Sequence, residues 1–384
     1  MATGVINMST TLTEQFSKGL EDVIAGTSSI CTINPDTENL LYRGYNATDL
    51  AENTNFEEVI HLLIEGRLPK KRELKRLTKQ LVKDRKIPKP LVKILKQIPQ
   101  TASPMDVLRT ATSVMGALDE NKQYSIEETK LIAYSLIAKL PLALMTWYHM
   151  SREQEVPKIS KDISHAGRFL QLVTGKEPDQ FEERVINASF ILYAEHEFNA
   201  STFCARVTAS TQSDIYSAIT AGIGALKGPL HGGANEAAMQ LILKFSDAND
   251  AERGINDMLN RKDKIMGFGH RVYKKKDSRS DVMKKCAQEL AVKKGNVKLF
   301  EIAEKIEKVV KEKKGLFPNA DFYSALAYYL LGIPIPLYTP IFVLSRTSGW
   351  SAHIIEQLSD NRLLRPRALY KGPPPREFHT IDRR

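Results

Sequence analysis

Three acid–base side chains, His231, His270 and Asp321, each lie in or just after a segment rich in glycine and proline. Such segments break helices, and loops at helix ends can aim polar groups into a cleft, whereas helix interiors mainly supply packing. Two imidazoles and one carboxylate can act as general base, electrophile and general acid. That is the minimal set for removing a carbon-bound proton and adding the resulting carbon nucleophile to a carbonyl.

Taken singly, each of these residues has an ordinary explanation. A lone histidine in a glycine-rich loop is usually a surface or capping residue, and Asp321, two positions after Asn319, suits a helix cap. A hydrolase triad is the weaker alternative, because no Gly-x-Ser-x-Gly motif or other convincing serine or cysteine nucleophile accompanies the histidines. The three cysteines are too scattered for paired metal ligands, and no two histidines lie one helical turn apart, so the sequence predicts no metal.

The elements that must position these side chains are mainly helices. Apolar residues recur at three- and four-residue steps from Val297 to Lys314, and Gly315 follows at the expected stop. Similar patterns predict helices over 105–118, 126–150, 181–194, 214–226 and 281–291. Strand-like stretches at 29–33 and 40–42 flank a cluster of turn residues at 34–38, which predicts a small N-terminal β-hairpin.

Composition describes a folded soluble protein. The chain has 384 residues, of which 42% are hydrophobic and 26% charged, and its N-terminus lacks the pattern of a secretion or transit signal, so we expect a cytoplasmic protein. The apolar stretch 131–150 is interrupted by Lys139 and Pro141, which predicts a buried helix rather than a membrane span. The net charge of +10 indicates an anionic partner without identifying it.

Several segments together resemble the citrate synthase family, in the family's order and over nearly the whole chain. They are 42–45 (YRGY), 228–236 (GPLHGGANE), 267–273 (GFGHRVY), 318–324 (PNADFYS), 345–356 (SRTSGWSAHIIE) and 364–367 (LRPR). The resemblance implies a condensation of an acyl-CoA with oxaloacetate. Asp321 would be the base that removes an α-proton from the acyl group, His231 would donate a hydrogen bond to the thioester oxygen, and His270 would stabilise and protonate the oxaloacetate carbonyl oxygen.

The resemblance also implies a binding site for oxaloacetate, which carries two carboxylates. Arg279, Arg346 and Arg365 match the family's arginines, and bidentate recognition of carboxylates suits arginine better than lysine. His196 matches the family's substrate-binding histidine. Because the family's counterpart of Arg365 comes from the neighbouring subunit, a homodimer would be the minimal active unit.

CoA enters as a co-substrate, with no tightly bound cofactor expected. The segment Lys264, Ile265, Met266, Gly267 and Phe268 resembles the family's CoA-binding segment, with backbone groups as the main contacts. The basic cluster of Arg271 and Lys274 to Lys276 follows it. The phosphates of CoA would be the anionic partner of this positive charge. Ser278 stands where the family usually has proline before its substrate arginine, so we expect somewhat looser loop closure.

The implied architecture is a two-domain helical fold. Residues 1–222 and 333–384 would form the large domain, and residues 223–332 the small domain with the CoA-binding segment. The product would be citrate if the acyl donor is acetyl-CoA. A 2-methylcitrate synthase that uses propionyl-CoA, or an enzyme with both activities, is the close alternative, because one methyl group gives only about 1–3 kcal/mol of selectivity.

A remote alternative is a non-enzymatic nucleic-acid-binding helical protein, suggested by the net positive charge. The lysine-rich segment Val297 to Lys314 argues against it, because glutamates at 301, 304, 307 and 312 interrupt the basic residues. We therefore expect no nucleic-acid partner and no membrane partner.

Overall fold

The computed structural model describes residues 17–34, 39–121, 124–160, 163–270, 273 and 276–384. Within these ranges the chain forms sixteen α-helices, one three-stranded sheet and short 3₁₀ turns. The helices are α1 (Ala47–Asn53), α2 (Phe56–Glu65), α3 (Lys71–Asp84), α4 (Lys89–Gln97), α5 (Pro104–Ala117), α6 (Ile126–Met150), α7 (His165–Thr174), α8 (Gln180–Tyr193), α9 (Ala200–Ser210), α10 (Ile215–Leu226), α11 (Ala234–Ile242), α12 (Ala248–Asn260), α13 (Ser278–Lys293), α14 (Val297–Lys314), α15 (Ala320–Leu330) and α16 (Tyr338–Ser359). The predicted mainly α fold is confirmed.

The N-terminal hairpin is present and carries one more strand than the sequence predicted. Strands β1 (Cys31–Ile33) and β2 (Leu40–Tyr42) pair antiparallel, and β3 (Tyr45–Asn46) adds to β2. The connection between β2 and β3 is Arg43-Gly44, and both residues have positive φ angles, as tight hairpin turns require. The predicted turn residues 35–38 lie outside the described residues.

Helix α6 is long and apolar enough, by length and composition, to cross a membrane, yet most of its apolar stretch is buried inside the protein. It begins with a capping box in which Ser125 and Glu128 satisfy each other's backbone N–H groups. Near its other end the indole of Trp147 donates a hydrogen bond to the carbonyl of Ile98 over 3.1 Å. The sequence predicted a buried core helix here, and the structure agrees.

The chain divides into two units of very different size. Ser28–Leu363 is one unit and contains every α-helix and the sheet. The described part of the other unit is 17–27 and Leu364–Arg384, which holds two 3₁₀ turns and is mostly exposed. The predicted boundaries after residues 222 and 332 both lie inside the large unit and stay a prediction.

Helix α16 lies at the centre of the large unit and is buried along almost its whole length. It packs against α2, α6, α8 and α9. The approach to the end of α8 is close at Gly349, where an added Cβ would lie 2.2 Å from the carbonyl oxygen of Ala194. Only glycine allows this contact, which brings Arg346, one turn earlier on α16, beside the end of α8.

Candidate active site

Asp321 lies in the first turn of α15, which is capped by the side chain of Asn319. The hydroxyl of Tyr193, the last residue of α8, donates a 2.7 Å hydrogen bond to Oδ1 of Asp321. Burial raises the pKa of the Asp321 carboxyl, although the Tyr193 hydrogen bond and the positive charges of Arg279 and Arg346 oppose that rise. The carboxylate is therefore more basic than an ordinary aspartate while remaining held in one orientation.

Hydrogen bonds join two loops that are distant in sequence next to Asp321. The N–H of Gly269 donates to the carbonyl of Phe317 over 2.9 Å, and the N–H of Asn319 donates to the carbonyl of Gly267 over 2.9 Å. The Asn319 side chain also donates to the carbonyl of Gly269 over 3.1 Å. These bonds place the loop that ends at His270 next to the start of α15.

The candidate CoA-binding segment is the first part of that loop. Gly267 has a φ of +86°, and an added Cβ would lie 2.9 Å from the ring of Phe322, so this position requires glycine. The ring of Phe268 packs on that of Phe322 with centroids 4.7 Å apart. Ile265 is buried, whereas Lys264 is exposed at the start of the segment.

His270 and His196 face each other, with ring centroids 5.1 Å apart. The backbone N–H of Tyr273 donates to Nδ1 of His270 over 3.3 Å, so the ring proton of His270 lies on Nε2. Burial, aided by the charge of Arg279, lowers the pKa of His270 to about 4, and burial lowers the pKa of His196 well below its usual range. Both rings are neutral at pH 7, and Nε2 of His196 is buried with no hydrogen-bond partner.

His231 has the opposite tautomer. It follows the end of α10, and Ser201, in the first turn of α9, contacts its Nε2 twice. The hydroxyl lies 2.9 Å away, and the backbone N–H, which can only donate, lies 3.3 Å away. Nε2 therefore accepts, and the ring proton lies on Nδ1. Burial, aided by the charge of Arg346, lowers the pKa of His231 to about 4, so this ring is also neutral at pH 7. Each of the two histidines thus offers one N–H donor without carrying a charge.

Arg346 is almost completely buried. Its Nε donates to the carbonyl of Tyr193 over 2.8 Å, and its guanidinium lies 4.6 Å from the centroid of the Phe342 ring. Nη1 of Arg346 is buried and has no hydrogen-bond partner. A buried guanidinium N–H without an acceptor is costly, and a substrate carboxylate would supply the missing acceptor.

Arg279 is also buried and forms a two-point pair with Asp277, in which Nε and Nη2 each lie 2.9 Å from a carboxylate oxygen. Asp277 further accepts the N–H of Ala320 over 3.0 Å and so ties α13 to the start of α15. Burial alone would lower the pKa of Arg279, but the Asp277 carboxylate keeps that pKa well above its usual range. Ser278 is the first residue of α13, a position at which proline is also favourable, so the expected effect on loop closure stays a prediction.

Phe342 connects the two sides of the site. The rings of His231 and Tyr193 lie 6.1 Å and 4.9 Å from its ring centroid, and Arg346 stacks on its face. Because Tyr193 also donates to Asp321, the ring contacts of Phe342 bring His231 and Asp321 to the same region. Together with the loop pairing at His270, this arrangement gathers the three proposed reacting side chains around two buried arginines.

Two further groups of predicted residues are Arg365 and the basic cluster at 271–276. Arg365 belongs to the small unit, where its side chain is exposed, and its assignment stays a prediction. Arg271, Lys274 and Lys275 lie outside the described residues. Lys276 is exposed and forms an ion pair with Asp281.

The net positive charge of the protein is concentrated in a part of the sequence that is far from the site residues. The stretch 70–96, which spans α3 and most of α4, contains twelve lysines and arginines against two acidic residues, a surplus equal to the whole chain's +10. None of the site residues described above comes from α3 or α4. The candidate CoA-binding segment therefore does not account for the net charge.

Four side chains that help to build the site were not singled out from the sequence: Tyr193, Ser201, Asp277 and Phe342. Asp277 had a usable signal, because an acidic residue two positions before a buried arginine is a natural partner for it. Tyr193, Ser201 and Phe342 sit within helical patterns, where an aromatic or a serine ordinarily indicates packing or capping.

Comparison with known proteins identifies the family. Residues 19–367 match the family model described as "Citrate synthase, C-terminal domain". A 2-methylcitrate synthase of Shewanella oneidensis is 44% identical over 95% of this chain and 97% of its own length. A citrate/2-methylcitrate synthase of Bacillus subtilis is 43% identical over 94% of this chain and 97% of its own length.

The chain belongs to the citrate synthase family. A solved citrate synthase of Thermoplasma acidophilum, in a ternary complex with carboxymethyl coenzyme A and oxaloacetate, superposes with a TM-score of 0.88 at 36% identity, covering 96% of this chain and 99% of that one. The predicted family and fold are thus confirmed, and the protein is a citrate synthase family enzyme of the transferase type that carries out a condensation.

Proposed function

We propose that the protein condenses acetyl-CoA with oxaloacetate and water to give citrate and CoA, so that the acyl group becomes an alkyl group on transfer. The observation that carries this proposal is the placement of a basic carboxylate, Asp321, among two neutral histidines with opposite tautomers and two buried arginines. A base, two neutral donors and a pair of cations match the needs of an aldol-type addition to a dicarboxylate.

In the first step Asp321 removes a proton from the α-carbon of the thioester. That carbon is a very weak acid, so the developing enolate oxygen needs a preorganised donor in a site from which water is excluded. The Nδ1–H of His231 supplies this donor, because Ser201 holds Nε2 of the ring as an acceptor. A neutral imidazole stays protonated at Nδ1 as the enolate forms, so the donor is retained throughout the step.

In the second step the enolate carbon attacks the carbonyl carbon of oxaloacetate. The Nε2–H of His270 donates to the carbonyl oxygen, and its proton passes to that oxygen, which becomes a hydroxyl. The ring is left as an imidazolate next to the positive charge of Arg279 and regains a proton from the hydrolytic water, while the proton held by Asp321 goes to the CoA sulfur. The substrate carboxylates bind Arg279 and Arg346, with Nη1 of Arg346 and Nε2 of His196 as groups that are buried and still lack partners. Water then hydrolyses the thioester of the citryl-CoA intermediate and releases citrate and the CoA thiol.

The remaining assignments follow from family membership. We assign backbone groups of residues 264–268 to the binding of CoA, and Arg365 to the oxaloacetate site of the partner subunit in a homodimer. Residues 223–332 would form the small domain that closes on the rest of the chain to exclude water before enolisation. The enzyme would act in the cytoplasm without a tightly bound cofactor.

The choice of acyl donor is tested most directly by following oxaloacetate-dependent thiol release with acetyl-CoA and propionyl-CoA offered separately. Relatives of this chain carry both names, and one methyl group changes kcat/KM by about 10- to 200-fold at most. We expect the larger kcat/KM with acetyl-CoA. A larger value with propionyl-CoA would reassign the enzyme as a 2-methylcitrate synthase, and no release with either donor would overturn the proposed reaction.

A further inference from the structure

A buried chain of charged and polar side chains begins at Glu195, the residue immediately before His196. Glu195 and His353 have no exposed surface, and Nε2 of His353 lies 2.8 Å from Oε1 of Glu195. His353 belongs to α16, two turns after the buried Arg346. The proposed reaction does not use any of these groups except His196 and Arg346, so the chain needs a separate explanation.

Hydrogen-bond directions along this chain are fixed at its centre. Nη1 of Arg206 lies 3.0 Å from Nδ1 of His353 and 2.7 Å from Oε2 of Glu356. Because a guanidinium only donates, Nδ1 of His353 accepts, and the ring proton lies on Nε2, which donates to Glu195. Glu356 in turn accepts both the backbone N–H and the hydroxyl of Ser29, over 2.8 Å and 2.9 Å.

The backbone is constrained on both sides of His196. The backbone N–H of Glu195 donates to the hydroxyl of Tyr42 over 3.3 Å. Glu197, on the other side, has a φ of +54°, a left-handed conformation that is unfavourable for a non-glycine residue. Such a conformation persists only where the surrounding contacts impose it.

The next residue, Phe198, is held by the same chain. Its ring lies 4.6 Å from the guanidinium carbon of Arg206 and 5.6 Å from the ring centroid of His353. His196 itself lacks a partner at Nε2, so no hydrogen bond at that atom orients its ring before substrate binds. Besides its packing against the rings of His270 and Tyr273, the His196 ring therefore depends on the backbone that Glu195 and Phe198 anchor on either side.

We propose that Glu195, His353 and Arg206 are positioning residues that set His196 for oxaloacetate binding, an inference that rests on the proposed function. A buried ion-paired chain is rarely the most stable filling for a core, since apolar residues of equal volume often serve stability as well or better. Here the buried side chains link the His196 segment to α16, the helix that carries Arg346. They would thus keep two oxaloacetate-binding groups in a fixed position relative to each other.

Two substitutions at His353 separate positioning from packing. In His353→Gln the side-chain NH₂ can replace Nε2 as the donor to Glu195. In His353→Asn the side-chain oxygen can replace Nδ1 as the acceptor from Arg206, but the bond to Glu195 is lost. Since a hydrogen bond to a buried charged group is worth about tenfold or more in binding, we expect His353→Asn to raise the KM and the Kd for oxaloacetate by about that factor. We expect His353→Gln to restore most of it.

The control is His149→Asn, the same substitution at a buried histidine that lies outside the site and bonds to the carbonyl of Leu172 over 2.7 Å. This variant should lower the melting temperature and leave the KM for oxaloacetate unchanged. For His353→Asn, kcat and the KM for acetyl-CoA should stay within about threefold of the parent, because His231 and Asp321 bond to Ser201 and Tyr193 rather than to Glu195, His353 or Arg206.

Kinetics and calorimetric titration with oxaloacetate distinguish the two levels of the argument. If the parent enzyme binds oxaloacetate but releases no thiol, the proposed reaction fails, while the calorimetric Kd values still test positioning. If both His353 variants bind oxaloacetate as the parent does, or if His353→Asn and His149→Asn change only the melting temperature, the chain is structural and the positioning role is overturned. A parent enzyme that binds no oxaloacetate overturns both proposals.

Discussion

The hydrogen bond between Tyr193 and Asp321 makes the basicity of Asp321 adjustable by one substitution. Tyr193→Phe removes only the hydroxyl that donates to Asp321 over 2.7 Å. A hydrogen bond to a charged group is worth about 1.5–3 kcal/mol, and one pKa unit corresponds to about 1.36 kcal/mol. Loss of this bond should therefore raise the already raised pKa of Asp321 by a further ~1–2 units.

The expected consequence is a shift in the pH dependence of the reaction. Asp321 acts as a base only when it is ionised, so activity falls as pH decreases through its pKa. The acidic limb of kcat/KM for acetyl-CoA, measured by thiol release at saturating oxaloacetate, should move to higher pH by about 1–2 units in Tyr193→Phe. The pKa values of His231 and His270 are lowered to about 4, so both rings stay neutral over most of the pH range of the acidic limb.

Tyr328→Phe is the matched control, because Tyr328 is buried on α15 and its hydroxyl pairs with Ser189 instead of Asp321. This variant should leave the acidic limb where it is in the parent enzyme. An unmoved limb in Tyr193→Phe, or the same displacement in both variants, would show that the Tyr193 hydroxyl does not control the basicity of Asp321.

Three further predictions concern the base, a glycine and the dimer. Asp321→Asn should lower kcat by at least about 100-fold, and unchanged turnover would exclude Asp321 as the base. Because burial raises the pKa of Asp321, its ionised carboxylate destabilises the folded protein above that pKa. The same variant should therefore raise the melting temperature at pH 7. Gly267→Ala should lose about 1–3 kcal/mol more unfolding free energy, measured in urea, than Gly315→Ala. Both glycines have a positive φ, but only an added Cβ at Gly267 would meet the ring of Phe322, so equal losses would argue against that contact. Arg365→Ala and Asp321→Asn chains, each nearly inactive alone, should regain thiol release when refolded together, and no recovery would place Arg365 outside the partner's site.

Local features of the sequence predicted much of the secondary structure. The helix predicted from Val297 to Lys314 has those bounds in the structure, and Gly315 ends it with a φ of +65°. Helix α6 also begins and ends as predicted, at Ile126 and Met150. The determinants are the apolar period and the capping residues, which act within a few positions along the chain. The third strand was not predicted because it is only two residues long, Tyr45–Asn46, which is too short to show an alternating pattern.

The sequence determined which residue types were available for catalysis, and the family resemblance assigned them to a reaction. Only the tertiary structure decided their chemical states. The partner of Asp321 is 128 positions away, that of His231 is 30 positions away, and Glu195 meets His353 across 158 positions. A tautomer or a pKa depends on burial and on the neighbours that folding brings within a few ångströms. No spacing along the chain encodes those distances.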